Sequence, residues 1–595
     1  MPAKLFVKFK SFLFIILIIL LGVVVYSNSL NGEFIWDDAG LVKNNLYIRN
    51  WSGVPGIFTK NIWAGIGEES VVYRPLQMLT YTLDYSVWKL DVFGYHLTNL
   101  ILHILAALAL YWFISVLLNR SLLAFFSSLM FICFPAHVEA VAYISGRADS
   151  LVTIFILISF IFYLKFLQRK STFTWVIMTL SFILALLSRE NALILPALLS
   201  LYHYAFKKKL ELKSLAPFLV ITVGYILFRL VFMTTIFYDI PAQSSLIQRL
   251  PGFLIALTNY IRILFLPFNL HMEYGNILFS FLNFKVIFGL IIISGLLFWG
   301  RRSKNSNPLI CFSIFWFLIA LLPVSNLYPI NSYMAEHWLY LPSIGFFLIL
   351  GELFERNYAK EKMKLITLGL FICLLSGYGY LTFKQNNYWG SELYFFKRTL
   401  KYAPQSSKVY YNLGNALYSA GDNLGGVGMY LKAIQLEPRC AGAYENIGSI
   451  YISLGRNEEG IKYCQKALEI NPGLFSSYYN LGNAYYNLGQ KDKAMEMIRQ
   501  SIKLNPFYLE AYNNLAAGYV EKGKIKEAID LWNQCLKIDP DFTAAHFNLA
   551  VFYFSNKDYA LAIKHCDRVI ALGGVVDKRF LEKLEPYRGR VSCKP

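Results

Sequence analysis

Residues 11–38 read SFLFIILIILLGVVVYSNSLNGEFIWDD. The stretch 11–26 is apolar almost throughout and follows Lys4, Lys8 and Lys10. A bilayer crossing takes ~20 apolar residues with some tolerance, so this run reads as a membrane helix. Basic residues before an apolar run also mark a signal peptide, but Tyr26-Ser27-Asn28-Ser29 is a weak cleavage site. An uncleaved anchor with its N-terminus inside is expected. Cleavage would part the helix from Asp37 and Asp38, the adjacent carboxylates just beyond it. Trp36 precedes them, and tryptophan favours the membrane–water interface, so the acid pair is expected at headgroup depth.

The rest of the chain extends that reading. Of 595 residues 56% are hydrophobic, and the mean hydropathy is +0.44. Such a composition points to a membrane protein rather than a soluble one. Further apolar runs lie at 95–118, 121–136, 149–167, 172–188, 190–206, 215–237, 284–300, 308–325, 338–354 and 364–381. With the anchor they make eleven expected spans, followed by a polar C-terminal part. The net charge of +19 divides into +12 before residue 384 (29 Lys+Arg, 17 Asp+Glu) and +7 after it (27 and 20). The basic residues of the membrane part sit in short loops, as orientation signals do, so no nucleic-acid partner is expected.

Those clusters also set the topology. Arg120, Arg169-Lys170, Lys207-Lys208-Lys209, Arg301-Arg302-Lys304 and the group from Arg356 to Lys364 should all be cytoplasmic. Residues 251–270 (PGFLIALTNYIRILFLPFNL) are apolar but hold Arg262 and two prolines. If they spanned, the last two clusters would fall outside. They are therefore read as interfacial or re-entrant, with the N-terminus in and the C-terminus out across a plasma (inner) membrane. No Cys/His metal spacing is present, and no disulfide among Cys440, Cys464, Cys535, Cys566 and Cys593 can be assigned.

This parity collects the unusual polar residues on one outer face. Besides Asp37-Asp38 they include Arg74 in Tyr73-Arg74-Pro75-Leu76, and His137, Glu139, Arg147 and Asp149 in residues 137–149 (HVEAVAYISGRAD). Arg189 and Glu190 follow in 188–192 (SRENA), then Arg229 within an apolar run and His337 beside Glu336. Ionisable groups at membrane depth are costly and are functional candidates by default. A structural reading competes: Arg147–Asp149 and Arg189–Glu190 as local ion pairs at helix ends. His137 and Glu139 are two apart, not the same-face spacing of helical ligands, which disfavours a metal.

In the polar part, Pro404, Pro438, Pro472, Pro506 and Pro540 recur every 34 residues. Asn412, Asn446, Asn480, Asn514 and Asn548 keep the same step, as do Gly421, Gly455, Gly489 and Gly523. This is the tetratricopeptide period, a helix–turn–helix unit. Five full repeats are expected over 406–575, with a half repeat at 391–403 and a capping helix at 577–590. Lys557 stands where the fifth repeat should have its turn glycine. The fold expected is thus all-α: a polytopic membrane domain, 1–385, and a repeat solenoid, 386–595.

The acid pair, the Tyr-Arg-Pro-Leu motif, HVEAVAYISGRAD, SRENA and the repeats together resemble the transmembrane-and-tetratricopeptide-repeat O-mannosyltransferases, which are GT-C class membrane glycosyltransferases. The resemblance covers nearly the whole chain, although those proteins often carry Lys-Glu where Arg189-Glu190 stands here. It implies inverting transfer of a sugar, mannose in that family, from a polyprenyl-phosphate donor to a protein hydroxyl. Asp37/Asp38 would supply the catalytic carboxylate. Arg74, Arg147, Arg189 and Arg229, with His137, Glu139, Asp149, Glu190 and His337, would hold donor or substrate, and the repeats would bind the acceptor protein. A serine or threonine hydroxyl needs a positioned base, and a leaving phosphate gains from arginine. Which aspartate is the base stays open, as does help from a divalent cation. The alternatives are a non-catalytic repeat scaffold for envelope assembly, or transfer to a lipid or glycan acceptor.

Overall fold

The computed structural model describes residues 3–68, 70–232, 245–275, 278–327, 330 and 332–591, and the described residues contain helices and no strand. The chain divides into two units, Met1–Val409 and Tyr410–Pro595. The division falls past the helix Glu392–Tyr402, which repeat spacing alone assigns to the second domain. That helix buries Phe395 and Phe396, with Phe395 packed 4.4 Å from Trp389, so it belongs to the first core.

Among the described residues of the first unit six helices are long and apolar enough to cross a membrane: Lys10–Asn31, Val92–Leu118, Ile144–Gln168, Leu212–Val231, Phe284–Ser306 and Glu361–Tyr388. Ser121–Ile132 and Pro135–Val141 would together make one more, bent by 57°. The other apolar runs form shorter helices, among them Thr172–Ser188, Leu195–Ala205, Pro308–Leu321 and Ser343–Tyr358. Some of the eleven apolar runs are thus shorter as helices than as sequence, for a local reason. Several runs give way to 3₁₀ turns, at Pro135–His137, Ile144–Arg147, Glu190–Ile194 and Glu336–Leu339, where the backbone leaves the helix and carries polar side chains inward.

The run 251–270 forms the helix Leu246–Phe265, which is not among the six, and Arg262 Nη1 donates to the Phe268 carbonyl at 3.0 Å. The apolar run 215–237 is helical over Leu212–Phe232, and its end lies outside the described residues. At the ends of Ser121–Ile132 and Ser343–Tyr358 opposite these polar turns, Arg120 pairs with Glu355 and Arg356 with Glu352. These ion pairs therefore mark the end of the two helices away from the polar turns.

The second unit follows the 34-residue step. Helix pairs run Ser407–Ser419/Asn423–Leu436, Ala441–Ser453/Asn457–Ile470, Phe475–Asn487/Lys491–Leu504, Leu509–Glu521/Ile525–Ile538 and Thr543–Ser555/Tyr559–Ala571, and Lys578–Val591 follows. Gly421, Gly455, Gly489 and Gly523 close the first four turns at φ between 71° and 86°, a region open to glycine at no steric cost. Lys557 adopts the same left-handed conformation at φ 62° without that freedom. Ala433, Ala467 and Ser501 are fully buried, where a larger side chain would hold the paired helices apart. Cys440, Cys464, Cys535 and Cys566 are all free thiols, and Cys593 lies outside the described residues.

Candidate active site

The polar turns of the first unit enclose a cavity of about 370 Å³. Asp37, Arg74, Glu139, Asp149, Arg189 and His337 all line it, joined by Trp36, Tyr143, Ser145 and Lys408. The structure thus gathers into one cavity side chains that lie up to 372 positions apart in the sequence, from Trp36 to Lys408.

The two aspartates part company here. Asp38 caps its own turn, its Oδ2 accepting from the Ile35 N–H at 3.1 Å. Its Oδ1 accepts from both the backbone N–H (2.9 Å) and the hydroxyl (2.5 Å) of Ser145. With 1% of its surface exposed, Asp38 bolts the first loop to the turn Ile144–Arg147. Burial pushes its carboxyl up to about 7, opposed by those hydrogen bonds from Ser145 and Ile35. Asp37 is only half-buried and faces the cavity. Burial raises its pKa also, offset in part by the Tyr143 hydroxyl and by Lys408.

The turn that holds Asp38 depends on Gly146. A Cβ there would meet the Glu139 carbonyl oxygen at 2.5 Å and Ala140 Cα at 2.9 Å, both main-chain atoms that cannot swing aside. Gly146→Ala is expected to destabilise the first unit by roughly 1–3 kcal/mol, the usual range for overpacking, and to lower ligand binding in the cavity. A thermal melt of the detergent-solubilised protein checks it, and an unchanged melt would refute the close approach.

Two guanidinium groups line the cavity with Asp37. Arg74 Nη2 lies 3.0 Å from Glu190 Oε1, and Arg189 Nη1 pairs with Asp149. Each arginine keeps a buried Nε with no hydrogen-bond partner among the described residues, and so do Asp149 Oδ2 and Glu190 Oε2. Gln77 Oε1 and the Tyr143 hydroxyl are likewise without a partner, and buried polar atoms are ordinarily satisfied, so the orphans on lining side chains mark a place for a polar ligand. Arg229 Nη2 donates to the Val71 carbonyl at 2.6 Å and braces the Tyr73-Arg74 segment from behind. Glu139 takes His337 bidentately, from Nδ1 at 2.8 Å and from the backbone N–H at 2.9 Å. Beside them Glu336 is pushed up to about 8 by burial and by the Glu139 charge. Among the described residues no three His, Cys, Asp or Glu side chains gather as metal ligands would.

Five expected site residues do not line the cavity: Asp38, Glu190 and Arg229 stand behind its wall, holding residues that do or their neighbours, and Arg147 and His137 are engaged elsewhere. Arg147 is fully buried, with Nη1 2.6 Å from Asp84 Oδ2 and 3.0 Å from Thr80 Oγ1, and Nε 2.8 Å from Asn99 Oδ1. His137 is held between the Phe131 carbonyl (2.9 Å) and Ser343 Oγ (3.0 Å). Nor do the local ion pairs form as the spacing suggests. Arg147 pairs with Asp84, Arg189 with Asp149 and Glu190 with Arg74, because the turns aim neighbouring residues at different helices.

Known proteins match both units. Tetratricopeptide-repeat family models match residues 439–506, 479–534 and 518–557. Over 446 residues the chain is 26% identical to a protein O-mannosyl-transferase of Caenorhabditis elegans, covering 71% of this chain and 62% of that one. It is 26% identical over 459 residues to the human protein O-mannosyl-transferase TMTC3, covering 67% and 49%. The chain is a relative of the protein O-mannosyl-transferases. It spans between half and two thirds of the length of these relatives. Among solved structures, a crystal structure of MamA protein shares 25% identity over 26% of this chain and 85% of that one, at a TM-score of 0.23.

For this relative of the O-mannosyl-transferases, residue spacing pointed to six cavity-lining side chains and missed others. Ser145 and Tyr143 lay within HVEAVAYISGRAD, where the motif itself was the signal. Trp36 was read only as an interfacial aromatic, yet it lines the cavity and stacks on Tyr143 at 5.8 Å. Lys408 and Glu273 carried no signal, since only the folded chain brings them to the site.

Proposed function

We propose that this protein is a GT-C class integral-membrane inverting glycosyltransferase. It moves a sugar, mannose as in its relatives' names, from a polyprenyl phosphate to a Ser or Thr hydroxyl of a protein on the extracytoplasmic face, and its repeats bind the acceptor. The observation that carries this reading is that Asp37, a half-buried carboxylate, shares one cavity with Arg74 and Arg189, each of which keeps an unpartnered Nε.

Asp37 takes the proton of the acceptor hydroxyl as its oxygen attacks the sugar C1. The bond from C1 to the phosphate oxygen breaks, and the phosphate leaves with the electron pair on its polyprenyl chain. C1 inverts because the two oxygens lie on opposite sides. Arg74 and Arg189 supply charge-assisted hydrogen bonds to the phosphate, a pairing that suits the planar guanidinium fork. Glu190 and Asp149 hold those forks in place between turnovers. Asp38 does not exchange protons with substrate but fixes the turn that carries Asp37. The test is transfer of labelled mannose from a polyprenyl phosphate to a Ser/Thr peptide by the protein in liposomes, with the product identified by mass spectrometry. A labelled lipid or glycan in place of the peptide would redirect the acceptor assignment.

The pH dependence has a sign. A protonated Asp37 cannot accept the hydroxyl proton, so transfer falls as pH drops through its folded pKa. Since burial raises that pKa, the acid limb of kcat/KM is expected above the ordinary Asp value of 3.8. A limb at or below that value would contradict the assignment. Asp38 contributes to stability with the opposite slope. Its folded pKa of about 7 exceeds its unfolded value of 3.8, so its contribution is most favourable below the unfolded pKa and is lost as pH rises toward 7.

A further inference from the structure

The catalytic loop is fastened by a segment more than 350 positions away in sequence. At the outer end of the first helix, Asn28 Nδ2 donates to the Phe383 carbonyl (2.8 Å) and to Asn387 Oδ1 (2.7 Å), and Asn386 Nδ2 donates back to Asn28 Oδ1 (2.9 Å). Five residues on, the Glu33 N–H donates to the Gly390 carbonyl at 3.2 Å, and Glu33 Oε2 accepts from the Glu392 N–H at 3.1 Å. Glu392 Oε1 then accepts from the Trp36 N–H at 3.1 Å. The rungs run in order along both strands of chain and end one residue before Asp37.

That last rung falls on a strained residue. Trp36 has φ +54°, a left-handed conformation that a bulky side chain rarely adopts and that persists only where its surroundings impose it. The ring is held on one side, stacked on Tyr143 at 5.8 Å, which in turn meets Trp389 at 5.3 Å. The Glu392 carboxylate holds the backbone. Without it the Asp38 cap still closes the turn from Ile35, but nothing accepts the Trp36 N–H, and the peptide that leads into Asp37 can rotate.

We propose that Glu392 is a positioning residue for the transfer reaction: by accepting the Trp36 N–H it keeps that residue left-handed and aims Asp37 into the cavity. This rests on the glycosyltransferase reading, so its test needs one readout that does not. In full-length protein, Glu392→Ala should raise amide exchange across residues 33–40, measured by mass spectrometry, while Glu392→Gln, which keeps an acceptor oxygen, should not. In the transfer assay Glu392→Ala should lower kcat on the order of 10- to 100-fold, the scale of a small misplacement, with the donor KM little changed. Glu392→Gln should restore most of kcat. Unchanged exchange in Glu392→Ala overturns the proposal, as does a Glu392→Gln variant as impaired as the alanine one, which would make charge rather than hydrogen bonding decisive. If the unmodified protein transfers no sugar, the glycosyltransferase reading fails, and the exchange comparison alone still decides whether Glu392 holds the loop.

Discussion

Asp37→Asn is expected to lower sugar transfer by about 10²–10⁴, the usual contribution of a positioned general base, while leaving the protein folded. Asparagine matches aspartate in size, and the half-buried carboxylate faces the cavity rather than the core. Donor KM should stay near its original value, since the proposed mechanism gives the phosphate contacts to Arg74 and Arg189. The neighbouring Asp38→Asn provides the contrast. Both Asp38 oxygens accept hydrogen bonds, three in all, and an amide NH₂ would confront one of those donors. That variant should lose stability as well as activity, because an N–H left facing a donor costs about 1–3 kcal/mol. The pair of results separates base from brace. Full transfer by Asp37→Asn would remove Asp37 from the chemistry whatever Asp38 does.

How far the sequence reaches differs between the units. The repeats were legible to the residue because each position has a local cause: a left-handed turn at Gly421 and its equivalents, a close helix approach at Ala433 and its equivalents. A period of 34 states the turn four times in glycine and the close approach three times in Ala433, Ala467 and Ser501. In the membrane unit hydropathy shows where the chain is apolar, not where a helix breaks. The 3₁₀ turns at Glu190–Ile194 and Glu336–Leu339 take up the starts of apolar runs that read as helix, and those turns build the site. Motifs therefore located most of the cavity, whereas its pairings depended on which helix lies beside which. No local rule connects Arg74 to Glu190, or Trp36 to Glu392.

Arg147 shows the consequence most sharply. Its place in a motif-rich outer loop made it a phosphate ligand by expectation, but its guanidinium is enclosed by Asp84, Thr80, Asn99 and the Tyr95 carbonyl, over the Tyr81 ring at 4.4 Å. Arg147→Met should consequently act on stability first. It leaves Asp84, 6% exposed, as an uncompensated buried charge, and breaking such a pair from one side costs about 3–5 kcal/mol. The double variant Arg147→Met/Asp84→Asn removes both charges and should recover a large part of that loss, since a buried ion pair is often nearly neutral against uncharged replacements of similar volume. Thermal melts of the three variants beside the unmodified protein read this directly. A donor-phosphate role predicts a different pattern: Arg147→Met would melt normally, bind the lipid phosphate poorly, and gain nothing from the change at Asp84. The geometry favours the first pattern, because a guanidinium already holding an aspartate, a threonine, an asparagine and a carbonyl has no edge left to offer a phosphate.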